Sequence, residues 1–363
     1  MPYYSHSEPG GGIGATSDAK TAARVLDPIP REQLASITID DATQHIHCRF
    51  FAFDTSVVIE LGPHPHLDTG IALAGQLIAM CREYERLFSR TLPHSDVSRI
   101  NRAHGEWVRI DPRTADLIGE AVHYCTQSEG TFDITIGTLC RLWNWKAQQV
   151  PHSTEIAQAL RHVNYRAIEM SYGYSAGQTG GDNSNGSSND DEAWCRLRDP
   201  QAAIDLGGIA KGWIADRLCE TIQFAGYEHF LIDLGGNTVL HGRPADQQPW
   251  NIGIPNPLDT GRSIATLQLT DVSIVTSGIY ERRFTADNIT YHHIIDPHTG
   301  YPARTNLISA TIIARTSLDA EGYSTTVLAV GAHRAARFIA AHPAILGALL
   351  IRDDDTLLRF GIG

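Results

Sequence analysis

The sequence predicts an α+β or mixed α/β fold, and two observations support this prediction. First, segments with apolar residues at helical spacing alternate along the chain with short runs rich in β-branched residues. Second, 42% of the 363 residues are hydrophobic and 19% are charged, which is usual for a globular protein. A chain of this length can bury one large core or form roughly two or three domains.

The first half of the chain contains one predicted strand and two predicted helices. Residues 56–61 (SVVIEL) form the strand, and Asp68 is the predicted N-cap of the first helix, whose apolar residues recur at helical spacing as far as Phe88. The second helix is expected from about Thr114 to Ser128. Gly130 follows it, where a helix end favours a residue that adopts positive φ.

The second half contains a third helix, four strands and a final helical pair. The third helix begins near Ala210 and ends at Gly226. The predicted strands cover residues 230–234, 264–269, 308–313 and 346–351. The helical pair covers about 320–330 and 332–341.

Two segments are predicted to lie outside the folded unit. Residues 1–45 form a flexible N-terminal lead-in, and residues 171–192, rich in Gly, Ser and Asn, form a disordered insertion that offers little to bury. Residues 46–363 are then one folded unit. The start of the sequence lacks the basic and apolar segments of a signal peptide, and no apolar run approaches ~18–20 residues. We therefore expect a soluble, cytoplasmic protein that does not span a membrane.

Charge and cysteine content exclude several classes of function. The formal net charge of −12, with no basic run, argues against a nucleic acid partner. The six cysteines include no C-x-x-C pair, so a structural zinc site is not expected. An anionic ligand could still be held locally by backbone amides, a metal ion or one lysine.

The segment D-L-G-G-I-A-K-G at residues 205–212 is the most informative part of the sequence. Paired glycines at the start of the third helix would let a ligand approach the backbone, and the helix N-terminus presents free N–H groups. Lys211 is unfavourable in the first helical turn unless an anion lies nearby. The alternative interpretation is a simple glycine turn followed by an exposed lysine, since the segment matches no nucleotide-binding motif.

Three further segments contain candidate functional residues. His292 and His293 are adjacent, so in a strand they face opposite sides and at most one of them can enter a given site. Asp133, after the second helix, could face a ring-shaped ligand or cap the next element. Glu321 and Thr325 lie four residues apart on one helical face and could share an oxygen-liganded cation such as Mg²⁺, although acidic residues favour the first turn of a helix anyway.

Taken together and in this order, these segments resemble the ApbE family of FAD:protein FMN transferases from about residue 51 to about residue 331. The resemblance rests on these matching segments: F-S-R-T-L-P-H-S-D-V-S-R-I-N at 88–101, G-T-F-D at 130–133, D-L-G-G-I-A-K-G at 205–212, D-L-G-G at 233–236, T-S-G at 276–278, H-H-I-I-D-P at 292–297 and residues 320–331. The resemblance implies an α+β fold related to T-fold proteins, with mixed or antiparallel sheets, packed helices and FAD in a cleft.

The resemblance also implies an activity: Mg²⁺-dependent transfer of FMN from FAD, the substrate, to a threonine or serine hydroxyl of an acceptor flavoprotein, with AMP as the leaving group. Phosphoryl transfer of this kind needs charge neutralised on the phosphate oxygens, an in-line hydroxyl and a base. The sequence does not identify the acceptor protein, which we expect on the cytoplasmic side.

Site residues carry over from the family by position. The residues implied in FAD binding are Phe53, Thr91, Thr131, Phe132, Asp133, Asp205, Lys211 and Ile294. Metal ligation is implied for the Gly208 carbonyl, Glu321 and Thr325. Lys211 and His293 are the implied catalytic residues, with His293 accepting the proton of the target hydroxyl.

Three departures from the family pattern leave alternatives open. Glu321 stands where the family has aspartate, so the metal could shift or Asp319 could help. Thr91 replaces an aromatic residue that covers the flavin site, and F-D-T at 53–55 replaces M-G-T. Because an altered wall could admit water, a Mg²⁺-dependent FAD pyrophosphatase that yields FMN and AMP is one alternative. A non-catalytic flavin-binding protein is the other.

Overall fold

The computed structural model describes residues 35–63, 66–172, 192–244 and 247–362. Most of the predicted lead-in (residues 1–34) and most of the predicted insertion (residues 173–191) lie outside these ranges.

Strands and helices alternate along the described chain. The strands are β1 Ser36–Ile39, β2 Ile46–Ala52, β3 Thr55–Leu61, β4 Val108–Ile110, β5 Ile168–Tyr172, β6 Ala193–Leu197, β7 Phe230–Asp233, β8 Asn237–His241, β9 Trp250–Asn256, β10 Asp259–Leu269, β11 Val272–Gly278, β12 Arg283–Ala286, β13 Ile289–His292, β14 Leu307–Ala314, β15 Ile345–Arg352 and β16 Leu357–Phe360. The helices are α1 Leu67–Phe88, α2 Asp96–Arg102, α3 Pro112–Gln127, α4 Gly137–Cys140, α5 Ser153–Leu160, α6 Ala210–Phe224 and α7 Ser317–Ala341.

A nine-stranded antiparallel sheet forms the centre of the protein, in the order β1-β2-β3-β7-β8-β11-β14-β15-β16. Its register places Thr276 of β11 opposite Thr311 of β14, and the two hydroxyl oxygens are 2.9 Å apart. Strand β1 belongs to this sheet although it lies inside the predicted lead-in. The α+β fold class with antiparallel sheets and packed helices is confirmed.

The two faces of this sheet are covered by different layers, because successive residues of a strand point to opposite sides. On one side, residues such as Ile312 of β14 join the main core beneath α1, α6 and α7. On the other side, Ile313 and Leu349 pack with the β9–β10 hairpin in a smaller apolar cluster. The helices therefore lie on the face of the sheet that supports the candidate site.

The spacing predicts α1, α3, α6 and α7, with two differences in detail, and does not predict the short helices α2, α4 and α5. Helix α1 begins at Leu67, so Asp68 lies in the first turn and is not the N-cap; His66 occupies that position, and its side chain does not cap the helix. From the first turn the negative charge of Asp68 still interacts favourably with the positive end of the helix dipole. The final pair is one helix, α7, interrupted at Gly331, whose φ of 76° breaks the helical backbone where the two predicted segments meet.

Three smaller units complete the described chain. Strands β4, β6 and β5 form a separate sheet, and β9–β10 and β12–β13 are two-stranded hairpins. Strands β4, β5, β6, β12 and β13 are not predicted from the sequence, because segments of three to five residues carry little periodic signal. No helix in the described ranges combines the length and the apolar character needed to cross a membrane.

Candidate active site

The N-termini of α6 and α7 meet, and a lysine and a glutamate pair at their junction. Lys211 lies in the first turn of α6, and its Nζ is 2.6 Å from Oε1 of Glu321 in α7. Glu321 is 3% exposed, and the Lys211 side chain is 24% exposed. A buried carboxylate requires a partner, and Lys211 supplies a full opposite charge. The interpretation of Lys211 as a freely exposed lysine is therefore wrong.

The second oxygen of Glu321 completes the junction. It accepts hydrogen bonds from the backbone N–H of Gly212 and from Nδ2 of Asn237, the latter at 3.4 Å. The Asn237 amide oxygen accepts a bond of 2.6 Å from the hydroxyl of Ser317. Position 212 requires glycine, since a Cβ there would lie 2.7 Å from the carbonyl oxygen of Ser317. Close helix approach thus fixes the orientation of the glutamate.

Asp216 makes the reciprocal contact from α6 to α7. Its carboxylate accepts hydrogen bonds from the backbone N–H groups of Ser317 at 2.7 Å and Leu318 at 2.9 Å. These are first-turn donors of α7 that have no intrahelical partner. Burial raises the pKa of Asp216 to about 6. Each helix therefore caps the other, with Glu321 bonded to α6 and Asp216 bonded to α7.

Hydroxyl groups lie next to Glu321 on α7 and β11. The Thr325 hydroxyl is 3.3 Å from that of Ser277, which is 2.8 Å from that of Ser324. Together with the carboxylate of Glu321 they form a set of hard oxygen donors, the kind that Mg²⁺ prefers. The described residues hold no group of three or more His, Cys, Asp or Glu side chains that could bind a metal. A site with one carboxylate fits Mg²⁺, which commonly retains waters and binds substrate phosphates.

Asp205 shapes the glycine turn that precedes α6. Its Oδ1 accepts a hydrogen bond of 2.8 Å from the Gly207 backbone N–H, and its Oδ2 is 2.9 Å from Nε of Arg90. Gly208 packs against Phe132, because a Cβ at position 208 would lie 3.1 Å from the ring. The structure thus brings together the 88–101, 130–133 and 205–212 segments that the sequence analysis selected.

Asp133 acts as a turn residue. It is 6% exposed, and its Oδ1 accepts hydrogen bonds from the backbone and hydroxyl of Thr135, at 2.7 and 2.6 Å. Its Oδ2 accepts one from the Tyr165 backbone N–H at 3.1 Å. Burial raises the pKa of Asp133 and these bonds oppose the rise. These contacts correspond to the capping interpretation. Thr131, two residues earlier, is partly buried.

The N-terminal candidates Phe53 and Thr91 occupy turns. Phe53 has φ of 56° in the β2–β3 turn, and its backbone N–H donates to Oε1 of Glu85 at 2.8 Å. Thr91 is exposed, and its hydroxyl lies 3.1 Å from that of Ser89. Asp54, beside Phe53, lies 3.8 Å from the guanidinium of Arg282, so the β2–β3 turn is close to the segment that precedes β12.

The two adjacent histidines have different surroundings. Burial and the nearby positive charges of Arg282 and, to a smaller extent, Lys211 lower the pKa of His293 to about 4. Its Nδ1 is buried and has no hydrogen-bond partner in the described chain. His292 instead bonds the Ala303 carbonyl through Nε2 at 3.1 Å. Of the two, His293 is therefore the one whose pKa is lowered by burial together with neighbouring positive charges. Ile294, which follows, packs against the main core.

Several residues at this junction are not predicted from the sequence. They are Arg90, Asp216, Asn237, Ser277, Arg282 and Ser317. Asn237 directly follows the D-L-G-G segment at 233–236 and Ser277 lies within T-S-G at 276–278, so those segments carried the available signal. No sequence motif indicated Asp216, because its role depends on the packing of two helices.

Comparisons with known proteins agree with the fold and the segments. The model of the ApbE family matches residues 53–350. The chain is 30% identical over 293 residues to a FAD:protein FMN transferase of Klebsiella pneumoniae, covering 79% of this chain and 84% of that protein. It is 28% identical over 299 residues to one from Treponema pallidum, covering 79% of each.

Solved structures show the same architecture. The crystal structure of the ApbE protein from Thermotoga maritima superposes with a TM-score of 0.74 at 29% identity, covering 87% of this chain and 97% of that one. The flavin transferase ApbE from Vibrio cholerae superposes with a TM-score of 0.71 at 24% identity, covering 88% and 97%, and supports the fold alone.

Proposed function

This chain belongs to the ApbE family, and we propose that it transfers FMN from FAD to a serine or threonine hydroxyl of an acceptor flavoprotein and releases AMP. The similar proteins from Klebsiella pneumoniae and Treponema pallidum are named for FMN transfer from FAD to protein. The observation that carries the proposal is the contact of 2.6 Å between Lys211 and Glu321 where α6 and α7 begin.

This junction suits a diphosphate for electrostatic reasons. Two helix N-termini lie together there, and each directs the positive end of its dipole towards the junction. Lys211 has three N–H donors, and its bond to Glu321 uses one of them. The ammonium can therefore remain paired with Glu321 while it donates to a phosphate oxygen. In this proposal Lys211 orients and neutralises the FAD pyrophosphate.

The oxygen donors beside Lys211 would hold Mg²⁺. Glu321 and the Thr325 hydroxyl are the side-chain ligands in this proposal, with the Gly208 carbonyl as a backbone ligand. When bound, Mg²⁺ would neutralise negative charge on the phosphate oxygens. Glu321 serves both cations, since each carboxylate oxygen has more than one lone-pair site.

His293 is the proposed base. Its lowered pKa keeps the imidazole neutral at pH 7, so a ring nitrogen can accept a proton. The acceptor hydroxyl oxygen forms a bond to the FMN phosphorus while the bond from that phosphorus to the AMP oxygen breaks. The hydroxyl proton passes to His293, and AMP leaves with the bonding electron pair.

Incubation of the pure chain with FAD and Mg²⁺ tests the proposal. The acceptor probe is a library of short synthetic peptides, each with one central threonine and randomised flanks. Transfer is expected to leave flavin fluorescence on peptides and an equal amount of AMP. Free FMN and AMP without labelled peptide would indicate the pyrophosphatase instead. FAD bound but unchanged would indicate a flavin-binding protein without activity.

Two substitutions separate the roles of the paired residues. Lys211→Ala should weaken FAD binding roughly 10–100-fold, because it removes a charged donor to the phosphate. Lys146→Ala, an exposed lysine, is the matched control and should leave the affinity unchanged. Glu321→Ala should abolish the Mg²⁺ dependence, whereas Glu321→Asp should retain it with a shifted Mg²⁺ requirement. Unchanged FAD affinity in Lys211→Ala would contradict the phosphate role.

A further inference from the structure

A groove of about 520 Å³ lies beside β13, the strand that leads to His293. One wall is the whole of β13, Ile289–His292, and the other is residues 301–306. Its volume falls in the range of roughly 300–1,000 Å³ that holds compact ligands. Neither Lys211, Glu321 nor Thr325 lines it. The groove is therefore a neighbour of the diphosphate site and distinct from it.

The groove is lined by one edge of β13 and by residues 301–306, which lie outside the strands. One face of a strand exposes every second residue, so a wall made of consecutive residues presents the backbone edge. All four residues of β13 contribute to one wall, and six consecutive residues contribute to the other. Within the described chain, β13 pairs with β12 alone. Its second edge consequently faces the groove.

The two walls are joined at one end and separate at the other. Ala303 donates its backbone N–H to the Ile294 carbonyl at 2.9 Å, and Ile295 forms a β-bridge with Pro302. Beyond this junction, residues 304–306 line the wall that faces β13 across the groove. The groove thus occupies the place where a further strand would extend the pairing.

His292 contributes a buried, neutral imidazole to the wall of the groove. The side chain is 6% exposed and lines the groove. Burial lowers the pKa of His292, so the ring is neutral, and its Nε2 must donate to the Ala303 carbonyl. Nδ1 is then an acceptor, and it has no hydrogen-bond partner among the described residues.

The groove also has an exposed apolar residue at one end, and it lies next to residues proposed to take part in FMN transfer. Ile289 at its end is 49% exposed and offers apolar surface to a ligand. His292 is followed by His293, which faces the other side of the strand. Ile279, which lines the groove, follows Ser277 by two residues, and the Ser277 hydroxyl contacts that of Thr325.

We propose that this groove binds an extended segment of the acceptor protein as an added strand on β13, which leads its serine or threonine to His293. Strand addition draws affinity from backbone hydrogen bonds and specificity from alternate side chains. An apolar residue of the segment would cover Ile289, and its backbone would pair with the free edge of β13. The inference rests on the proposed transfer to a protein hydroxyl.

A flavin ring is the competing occupant, and the surroundings favour a peptide. A ring would gain affinity from a free aromatic face in the groove. Tyr291 stacks on Phe284 at 5.4 Å and also contacts Trp143 at 5.6 Å, so its faces are engaged in an aromatic cluster. Main-chain edges, in contrast, match the hydrogen bonds of an extended chain.

The test uses the full chain and the threonine peptide library without FAD. Peptides that bind the wild-type chain are selected, and affinity is measured by fluorescence anisotropy. Ile289→Lys should weaken binding about ten-fold or more, because it places a charge on the apolar anchor. Leu258→Lys, at an exposed leucine of a different hairpin, is the matched control and should bind as the wild type does. Thr290→Pro, which removes one edge N–H, should also weaken binding.

FAD titrations on the same variants separate this proposal from the transferase proposal. The expected result is unchanged FAD affinity in Ile289→Lys with reduced peptide labelling. Weakened FAD binding in Ile289→Lys would assign the groove to the flavin and overturn the inference. Peptide binding unaffected by both groove substitutions, or no peptide bound by the wild type, would also overturn it. Peptide binding at the groove without any FMN transfer would support the groove as a peptide-binding site and contradict the proposed transferase activity.

Discussion

At the scale of single residues, one buried carboxylate determines the state of Lys211. A positive charge in the first turn of a helix is unfavourable because it meets the positive end of the dipole. Glu321 offsets this, since its carboxylate lies 2.6 Å from the ammonium and also bonds the Gly212 N–H of the same helix end. Lys211 is thereby held in one orientation before any ligand arrives, which reduces the entropy lost on binding.

His293 should make stability depend on pH. Its pKa is about 4 in the folded chain, below the ordinary 6.5, so the folded state binds fewer protons than the unfolded state between these values. Stability associated with His293 is therefore complete above pH 6.5 and is lost as pH falls towards 4. The expected loss is on the order of 1–3 kcal/mol. Urea unfolding across this pH range measures it.

The variant His293→Gln isolates this effect from the other titrating groups. Its free energy of unfolding should fall less steeply between pH 6.5 and 4 than that of the wild type. FMN transfer by the variant should be slower by roughly 10²–10⁴-fold if His293 is the base. Parallel pH curves for the two proteins would show that the histidine is not held neutral by burial.

At the scale of elements, α6 and α7 act as one unit because each supplies the other's cap. Glu321 of α7 bonds the Gly212 N–H in the first turn of α6, and Asp216 of α6 bonds two N–H groups in the first turn of α7. Helix caps of this kind contribute about 1 kcal/mol each. Because Glu321 and Thr325 are both on α7, the placement of the metal-ligand candidates depends on Asp216.

Asp216→Ala should therefore affect both stability and the site. The expected loss is about 1–2 kcal/mol, from two N–H donors left without their acceptor. The Mg²⁺ concentration for half-maximal activity should rise, because α7 is less firmly held, and a magnesium titration measures this. Asp216→Asn, which retains one acceptor oxygen, should restore part of both effects. A fully stable Asp216→Ala with the wild-type Mg²⁺ requirement would contradict reciprocal capping.

The same Asp216→Asn variant tests a second prediction, which concerns how the free energy of unfolding depends on pH. The pKa of Asp216 is raised by burial from 3.8 to about 6, so the folded state binds more protons than the unfolded state in this window. The free energy of unfolding of the wild type should thus contain a component that decreases as pH rises from 3.8 to 6. Asparagine does not titrate and should remove it. This trend is opposite in sign to that of His293.

Two glycine-to-alanine substitutions in helices should have opposite effects on stability. Gly331 has φ of 76°, where an L-residue is strained, so Gly331→Ala should cost about 1–2 kcal/mol. Gly75 is a helical residue of α1 with no atom within 4 Å of a Cβ, so Gly75→Ala should stabilise by about 0.5–1 kcal/mol. Thermal unfolding compares the two. A stabilised Gly331→Ala would mean that the kink is not required.

At the scale of the whole molecule, the central sheet separates the face that carries the candidate site from the face that has only a structural role. The helices that carry Lys211 and Glu321 pack on one face, and the β9–β10 hairpin covers part of the other. Leu349, 1% exposed, belongs to the cluster under the hairpin. Leu349→Ala should reduce stability by about 2–5 kcal/mol through lost burial and a cavity. The KM for FAD should not change.

Gly212→Ala should be compared with Leu349→Ala, because it changes the helix junction instead of the far face of the sheet. The added Cβ would meet the Ser317 carbonyl oxygen at 2.7 Å and separate α6 from α7. Its effect on the KM for FAD and on the Mg²⁺ requirement should exceed that of Leu349→Ala even at equal loss of stability. Equal KM values for both variants would indicate that the helix junction is not the FAD site.

The sequence alone determined the main helices and the segments that meet at the site. Helical periodicity identifies α1, α3 and α6, and Gly331 marks the break in α7, because these signals are local properties of the chain. The ordered segments at 130–133, 205–212 and 320–331 also indicated the family to which the chain belongs.

Only the tertiary structure decided which side chains of these segments touch. The interaction of Lys211 with Glu321 joins residues 110 positions apart, and Asp216 reaches residues 101 and 102 positions away. Such contacts depend on how two helices cross, and helix crossing is set by packing over the whole sheet rather than by local spacing. The same reason places His293 near two positive charges, which no pattern in the sequence indicates.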